Sequence, residues 1–183
     1  MRVTYPEIQG LVQDIATQMR DTEQYHRNLQ AIAVPILTGS LFFAADLLRA
    51  MGWRGTIQPV IASSYIGTNQ QEEVSILSPV PIIPDDSQVL IIDTVIDSGK
   101  TMRKVVSALE DNALGEDVEF AAAILFDKCA HKGLSDVTLY TGTEVDADKF
   151  LVGYGLDVNG HGRGTNTIID YKKGDASGHI DRD

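Results

Sequence analysis

The sequence predicts an α/β protein: an open, mostly parallel sheet flanked by helices, with a flap hairpin set between core strands. Three observations carry that reading. Apolar runs of strand length alternate with helical stripes, in the order helix, strand, helix, strand, flap, strand, helix, strand, strand. The stretch from Val89 to Thr101, VLIIDTVIDSGKT, reads as a buried strand that ends in acidic and hydroxyl residues and opens a helix. Unusual residues also stand at three strand ends: Leu37-Thr38-Gly39-Ser40, Ser63-Ser64-Tyr65 and the Asp93–Thr101 loop. An open parallel sheet would bring them to one edge.

Each element has its own warrant. Glu7 to Arg20 puts Ile8, Leu11, Val12, Ile15 and Met19 in one helical stripe, a face for the core or a subunit contact. Ala31 to Leu37 is an apolar run, broken by Thr38-Gly39-Ser40 before a helix over Leu41–Met51. Thr56 to Ser63 is the next strand. From Ser64 to Ser87 the chain turns polar, with prolines at 79, 81 and 84, which suits a mobile hairpin or flap. Strand 88–93 and helix 101–113 follow, then strands near 118–126 and 136–140. Phe150 to Tyr154 is short and apolar, and Gly160 to Gly164 is a glycine-rich loop. Residues 1–171 are expected to form one domain; the tail 172–183, KKGDASGHIDRD, has no apolar anchor and is expected to be disordered.

Composition excludes several function classes. Hydrophobic residues make up 43% of the 183, enough for a sizeable core. No apolar run approaches the roughly 18 residues of a transmembrane helix. Met1 to Gly10 lacks a basic segment followed by an apolar core, so no secretory signal is expected and the location expected is the cytoplasm. A single cysteine, Cys129, excludes an internal disulfide, and the histidines at 26, 131, 161 and 179 show no metal-ligand spacing. The net charge of −11 argues against a nucleic-acid partner. It also opposes an anionic substrate, so basic groups must be concentrated at the site. Screening beyond about 8–10 Å makes that local field decisive.

The Val89–Thr101 stretch carries chemistry. Successive loop N–H groups and a helix N-terminus form an anion cradle, to which Ser98 and Thr101 add hydroxyls. Gly99-Lys100-Thr101 matches the end of a Walker A loop, but that motif needs a glycine where Thr94 stands. Asp93 and Asp97 beside the cradle call for a ligand with a phosphate plus sugar hydroxyls, a magnesium ion or a proton to be removed.

The stretch resembles the phosphoribosyl-diphosphate signature of type I phosphoribosyltransferases: an apolar strand, two acids, two apolar residues, Asp, Thr or Ser, Gly, Lys, Thr. Asp148 to Asp157, DKFLVGYGLD, is similar to a segment of hypoxanthine-guanine phosphoribosyltransferases, and the resemblance runs from about Ala31 to Ile169. It implies the type I fold with a small C-terminal hood over the base. It also implies phosphoribosyl diphosphate and a purine base as substrates, Mg2+ as cofactor, and a homodimer or homotetramer. Residue by residue, it implies Asp97 as proton acceptor near purine N7, and Ser98, Gly99, Lys100 and Thr101 as the 5′-phosphate cradle. Asp93 would contact ribose hydroxyls directly or through magnesium, with Thr94 in the same ribose-facing pair. Lys128 would donate to the 6-oxo group, Phe150 would stack on the purine and the Leu151 backbone would touch the base edge. Asp157 would hold a second magnesium through water. Thr38, Gly39 and Arg163 would bind diphosphate, and Ser64-Tyr65 would begin the flap.

By residue type alone, Phe150 also reads as a core aromatic, Lys128 as a solvated strand-end lysine, and Asp157 with Arg163 as a surface ion pair. Two departures stand out. The usual acid pair is Asp93-Thr94, and the lysine common in the first strand-end loop is Thr38. They keep open a binding or regulatory protein with weak turnover, and the pocket keeps open xanthine, a modified purine or uracil as base. If the Asp93-Thr94 pair faces ribose, Thr94→Asp is expected to tighten substrate binding by about 1 kcal/mol.

Overall fold

The computed structural model describes residues 1–21, 30–66, 72–128 and 134–172. In chain order the elements are β1 (Arg2–Val3), α1 (Tyr5–Asp21), β2 (Ala31–Leu37), α2 (Leu41–Met51), β3 (Thr56–Ile57), β4 (Val60–Ile66) and β5 (Glu72–Ile76). There follow β6 (Ser87–Ile96), α3 (Lys100–Glu110), β7 (Val118–Asp127), β8 (Thr138–Glu144), β9 (Leu151–Val152) and β10 (Ile168–Asp170). The main sheet runs β5-β4-β2-β6-β7-β8, with β3 beside β2, and is parallel except at the β4–β5 hairpin. A second sheet, β1-β10-β9, is antiparallel and forms the hood.

Strand alternation sorts the core into two layers. Ala33, Leu90, Ile92, Ala121 and Ala123 face α1 and α2, whereas Val34, Val89, Ile91, Ala122 and Ile124 face α3. The α1 stripe of Ile8, Val12, Ile15 and Met19 is fully buried, and so belongs to the core. Helix α2 stops where Gly52, at φ 64°, closes a Schellman pattern: its N–H donates to the Arg49 carbonyl and that of Trp53 to the Leu48 carbonyl. Helix α3 buries Met102, Val105, Val106 and Leu109.

β2 and α2 match their expected bounds. The segment expected as one strand over 56–63 divides into β3 and β4, and the flap is the antiparallel β4–β5 hairpin. β6 continues three residues past Asp93, because Asp93, Val95 and Ile96 stay in register with Ile124, Phe126 and Asp127 of β7. The loop before α3 is therefore shorter than the sequence suggests. The flap tip 67–71, Cys129 and nearly all of the expected tail, 173–183, lie outside the described residues.

Candidate active site

At the end of β6, Asp97 and Ser98 are exposed and Gly99 takes φ 71°, a left-handed turn that a side chain would disfavour. Gly99 offers no side-chain cap to the positive end of α3, and the Lys100 N–H reaches the Ser98 hydroxyl at 3.5 Å. The Arg103 guanidinium donates to the Ser98 carbonyl at 2.9 Å and steadies the turn. A cavity of about 190 Å³ sits here, lined by Asp93, Asp97, Ser98, Gly99, Lys100 and Thr101 among others. Burial pushes the Asp93 carboxyl up to about 7, against the opposing pull of the Thr94 and Val95 N–H groups.

Lys128 follows β7, and its N–H donates to the Ile96 carbonyl at 3.0 Å, which keeps the two strand ends side by side. Its ammonium lies 2.8 Å from the Asp97 carboxylate; the lysine side chain is 7% exposed and the aspartate 69%. A buried stem thus presents a cation and a carboxylate at the cradle's mouth. Lys128 also lines a cavity of about 840 Å³ with Phe126, Thr143, Val145 and Asp146. Phe150 lines a different cavity, of about 660 Å³, with Tyr171, Val158 and Asn159. Its ring is half exposed and stands 6.2 Å from that of Tyr171. The side chain of Leu151 is buried. Lys128 and Phe150, expected around one base, therefore line separate cavities in this structure.

The first strand-end loop and the C-terminal loop meet. Gly155, at φ 102°, packs so closely on Gly39 that a Cβ would fall 2.1 Å from the Gly39 carbonyl oxygen. Arg163 donates to the Gly155 carbonyl at 2.7 Å and pairs with Asp157 at 2.7 Å. The other Asp157 oxygen accepts from the Gly160 N–H at 2.7 Å. Thr38 is exposed. Thr94 overturns one expectation: it is fully buried, and its hydroxyl donates to the Gly39 carbonyl at 3.0 Å. Asp93 lines the cradle cavity, while the Thr94 hydroxyl is turned to the Gly39 carbonyl. Thr94 therefore offers no hydroxyl to a ribose. Ser64 and Tyr65 sit in β4 opposite Val74 and Glu73, and their side chains lie outside the described ones.

A family model described as the phosphoribosyl transferase domain matches residues 4–159. The chain belongs to that family. It is 31% identical over 149 residues to a hypoxanthine-guanine phosphoribosyltransferase of Staphylococcus epidermidis, covering 80% of each chain. It is 31% identical over 153 residues to the hypoxanthine phosphoribosyltransferase of Escherichia coli, covering 82% of this chain and 83% of that one. Among solved structures, a Bacillus anthracis hypoxanthine-guanine phosphoribosyltransferase with HEPES in its active site superposes with a TM-score of 0.75 at 25% identity. That match covers 93% of this chain and 96% of the other. The sheet, its flanking helices and these likenesses make this the type I phosphoribosyltransferase fold.

Within a phosphoribosyltransferase the donor set can be weighed for a metal. No cluster of three or more His, Cys, Asp or Glu able to hold an ion is found among the described residues. The cradle cavity is lined by two carboxylates, Asp93 and the exposed Asp97 paired with Lys128, and the C-terminal loop carries Asp157, whose oxygens each already hold one contact. Magnesium fits such a set, because it keeps several waters and binds through one or two carboxylates plus substrate phosphates.

Sequence reading missed three supports. Arg103 braces the cradle from the first turn of α3; its position five residues past Ser98 was the available signal. Asp46 on α2 accepts from the Tyr154 hydroxyl at 2.7 Å and from Gln9 at 2.8 Å, which ties the C-terminal loop to both helices. Burial, then the bond to Asp46, pushes the Tyr154 phenol above its ordinary value, so it stays a donor. Asp170 accepts from the Phe150 N–H at 3.2 Å and pairs with Lys149 at 3.3 Å. The last two pairings join residues far apart in the chain, and no local pattern announces them.

Proposed function

We propose that the protein is a glycosyltransferase of purine salvage. It would transfer the 5-phosphoribosyl group from phosphoribosyl diphosphate to N9 of a 6-oxopurine, hypoxanthine or guanine. The N9–C1′ bond forms, the bond from C1′ to diphosphate breaks, and a purine proton leaves through N7. The observation that carries this reading is the Lys128–Asp97 pair at the mouth of the anion cradle. It places side by side a donor suited to a 6-oxo group and an acceptor suited to an N7 proton.

The 5′-phosphate binds to the N–H groups and hydroxyls of Ser98, Gly99, Lys100 and Thr101, in the field of the helix terminus. Asp93 faces ribose, and Thr38 and Gly39 with Arg163 receive diphosphate. Phe150 supplies a stacking face beside the Leu151 backbone, and the flap beginning at Ser64-Tyr65 keeps water from the cation-like anomeric carbon. Asp93, and Asp157 through water, would hold magnesium, which when bound supplies charge neutralisation for the departing diphosphate. A carboxylate placed to take the N7 proton contributes roughly 10²–10⁴ in rate. Because an ammonium only donates, adenine's 6-amino group offers Lys128 no acceptor, and the charged hydrogen bond to the base is lost at a cost of about 1.5–3 kcal/mol.

The test is to incubate the protein with magnesium, phosphoribosyl diphosphate and a panel of bases, and to measure nucleotide and diphosphate. Hypoxanthine or guanine should react far faster than adenine. Equal specificity constants for adenine and hypoxanthine would sink the assignment. A second reading, a phosphoribosyl-diphosphate-binding regulator with weak turnover, draws on Asp97 and Asp157 both being engaged in ion pairs. Tight calorimetric binding without product from any base would favour it. Xanthine, a modified purine and uracil complete the panel, and light scattering would test the homodimer or homotetramer.

A further inference from the structure

We propose that Thr94 is a positioning residue, whose buried hydroxyl fixes the diphosphate-facing loop of residues 38–40 against the C-terminal loop that carries Arg163. The proposal rests on the reading above, in which that loop and Arg163 receive diphosphate. Thr94 is fully buried, so its hydroxyl needs a partner inside the protein, and the Gly39 carbonyl at 3.0 Å is that partner. The N–H of the same peptide group, from Ser40, donates to the Ile36 carbonyl at 3.2 Å. Both ends of one peptide plane are therefore held. The Gly39 carbonyl is also the surface on which Gly155 rests, with room for no Cβ. Gly155 in turn exchanges two hydrogen bonds with Arg163: its N–H donates to the Arg163 carbonyl at 2.8 Å, and its carbonyl accepts from the guanidinium at 2.7 Å. The tie thus runs from Thr94 through Gly39 and Gly155 to Arg163.

Only a donor can make it. A carboxylate at position 94 accepts and does not donate, so it would meet the Gly39 carbonyl with like partial charge. The acid pair usual in related signatures and this tie exclude each other. Thr38 adds no charge to the loop, so what the loop offers an anion is the aim of its backbone, and Thr94 sets that aim. The threonine is then a change of support for the diphosphate end, and not a ribose ligand lost.

Three variants separate the possibilities. Thr94→Val keeps the shape and removes the donor, Thr94→Ser keeps the donor, and Thr94→Ala stands in for valine should that variant not fold. Thr94→Val should weaken inorganic diphosphate binding and raise KM for phosphoribosyl diphosphate by about five- to tenfold, with KM for the base within about twofold. Amide exchange should quicken in residues 38–41 and 154–164, and Thr94→Ser should restore both readouts. Unchanged diphosphate affinity and exchange in Thr94→Val would overturn the proposal. So would a serine variant that behaves like valine, or a loss shared equally by both substrates in step with melting temperature. If the wild type binds no diphosphate and makes no nucleotide, the functional reading fails. Amide exchange then decides the tie alone, upheld if protection is lost with valine and kept with serine.

Discussion

Asp93 lines the cradle cavity with a carboxyl largely withdrawn from water, and that placement works against the stability of the folded protein. Its folded value is raised to about 7 from an ordinary 3.8, chiefly by burial. Between those values the folded chain keeps a proton that the unfolded chain has released. Stability of the ligand-free protein should therefore fall as pH rises from about 4 to about 7, then level off. Asp93→Asn keeps an acceptor for the Thr94 N–H and should remove that slope. Thermal melts should show it more stable than wild type at pH 8, by roughly 2–4 kcal/mol at most, with the gap closing toward pH 4. Equal melting temperatures at pH 8 would mean the carboxyl is not held in this way. Asp97, exposed and paired with Lys128, is the proton acceptor proposed above. Asp97→Asn should cut turnover by about 10²-fold or more while nucleotide still binds, measured by steady-state kinetics and calorimetry. Thr94 is where the sequence reading went astray. Its neighbour Asp93 lines the cradle cavity, but Thr94 itself is fully buried and its hydroxyl is taken up by the Gly39 carbonyl. Thr94→Asp is now expected to harm: it buries a carboxylate against the Gly39 carbonyl and should lower stability by a few kcal/mol, of order 2–4, in urea unfolding.

Among the elements, those with strong local pattern were legible and those made by pairing were not. β2 and α2 were readable to the residue because a seven-residue apolar run meets Thr-Gly-Ser and then an apolar helical stretch. The end of β6 was misplaced because Asp93 and Thr94 look like loop residues, yet β7 continues to pair with the strand beyond them. β1 and β10 are two and three residues long and have no periodicity to read; each exists through its partner. The cradle was legible as a strand–turn–helix junction, while the contact between residues 38–40 and 153–163 was not. That contact depends on Gly155, where φ is 102° and a Cβ would meet the Gly39 carbonyl. Gly155→Ala should therefore force the two loops apart, lowering the melting temperature and weakening inorganic diphosphate binding by about tenfold or more. Calorimetry with diphosphate checks this, and wild-type affinity in the variant would show that the loops need not touch.

Across the whole molecule, a chain of charge −11 must draw an anion to one edge of its sheet. Lys100 and Arg103 stand at the cradle, while Lys128 and Arg163 are paired with Asp97 and Asp157, and at cell-like salt a field beyond about 8–10 Å counts little. The fold also joins the two ends of the described chain at this edge. β1 pairs with β10, Arg2 opposite Ile169, and the Met1 carbonyl accepts from the Asp170 N–H at 3.0 Å. β10 pairs in turn with β9, and Asp170 holds the Phe150 N–H while the Tyr171 N–H donates to the Phe150 carbonyl at 2.7 Å. The stacking face proposed for the base thus hangs on a small sheet whose outer strand is the start of the chain. The cradle of β6 and α3 belongs to the other sheet and shares none of these bonds. Removing residues 1–3 should loosen β10 and with it Phe150, without disturbing the cradle. KM for the base should rise about three- to tenfold, as expected for one or two lost hydrogen bonds, while KM for phosphoribosyl diphosphate stays within about twofold. Steady-state kinetics with each substrate varied in turn, and circular dichroism to confirm the main sheet, would measure the split. An unchanged KM for the base would show that Phe150 is held without β1, and that the hood and the N-terminal strand are coupled in structure only.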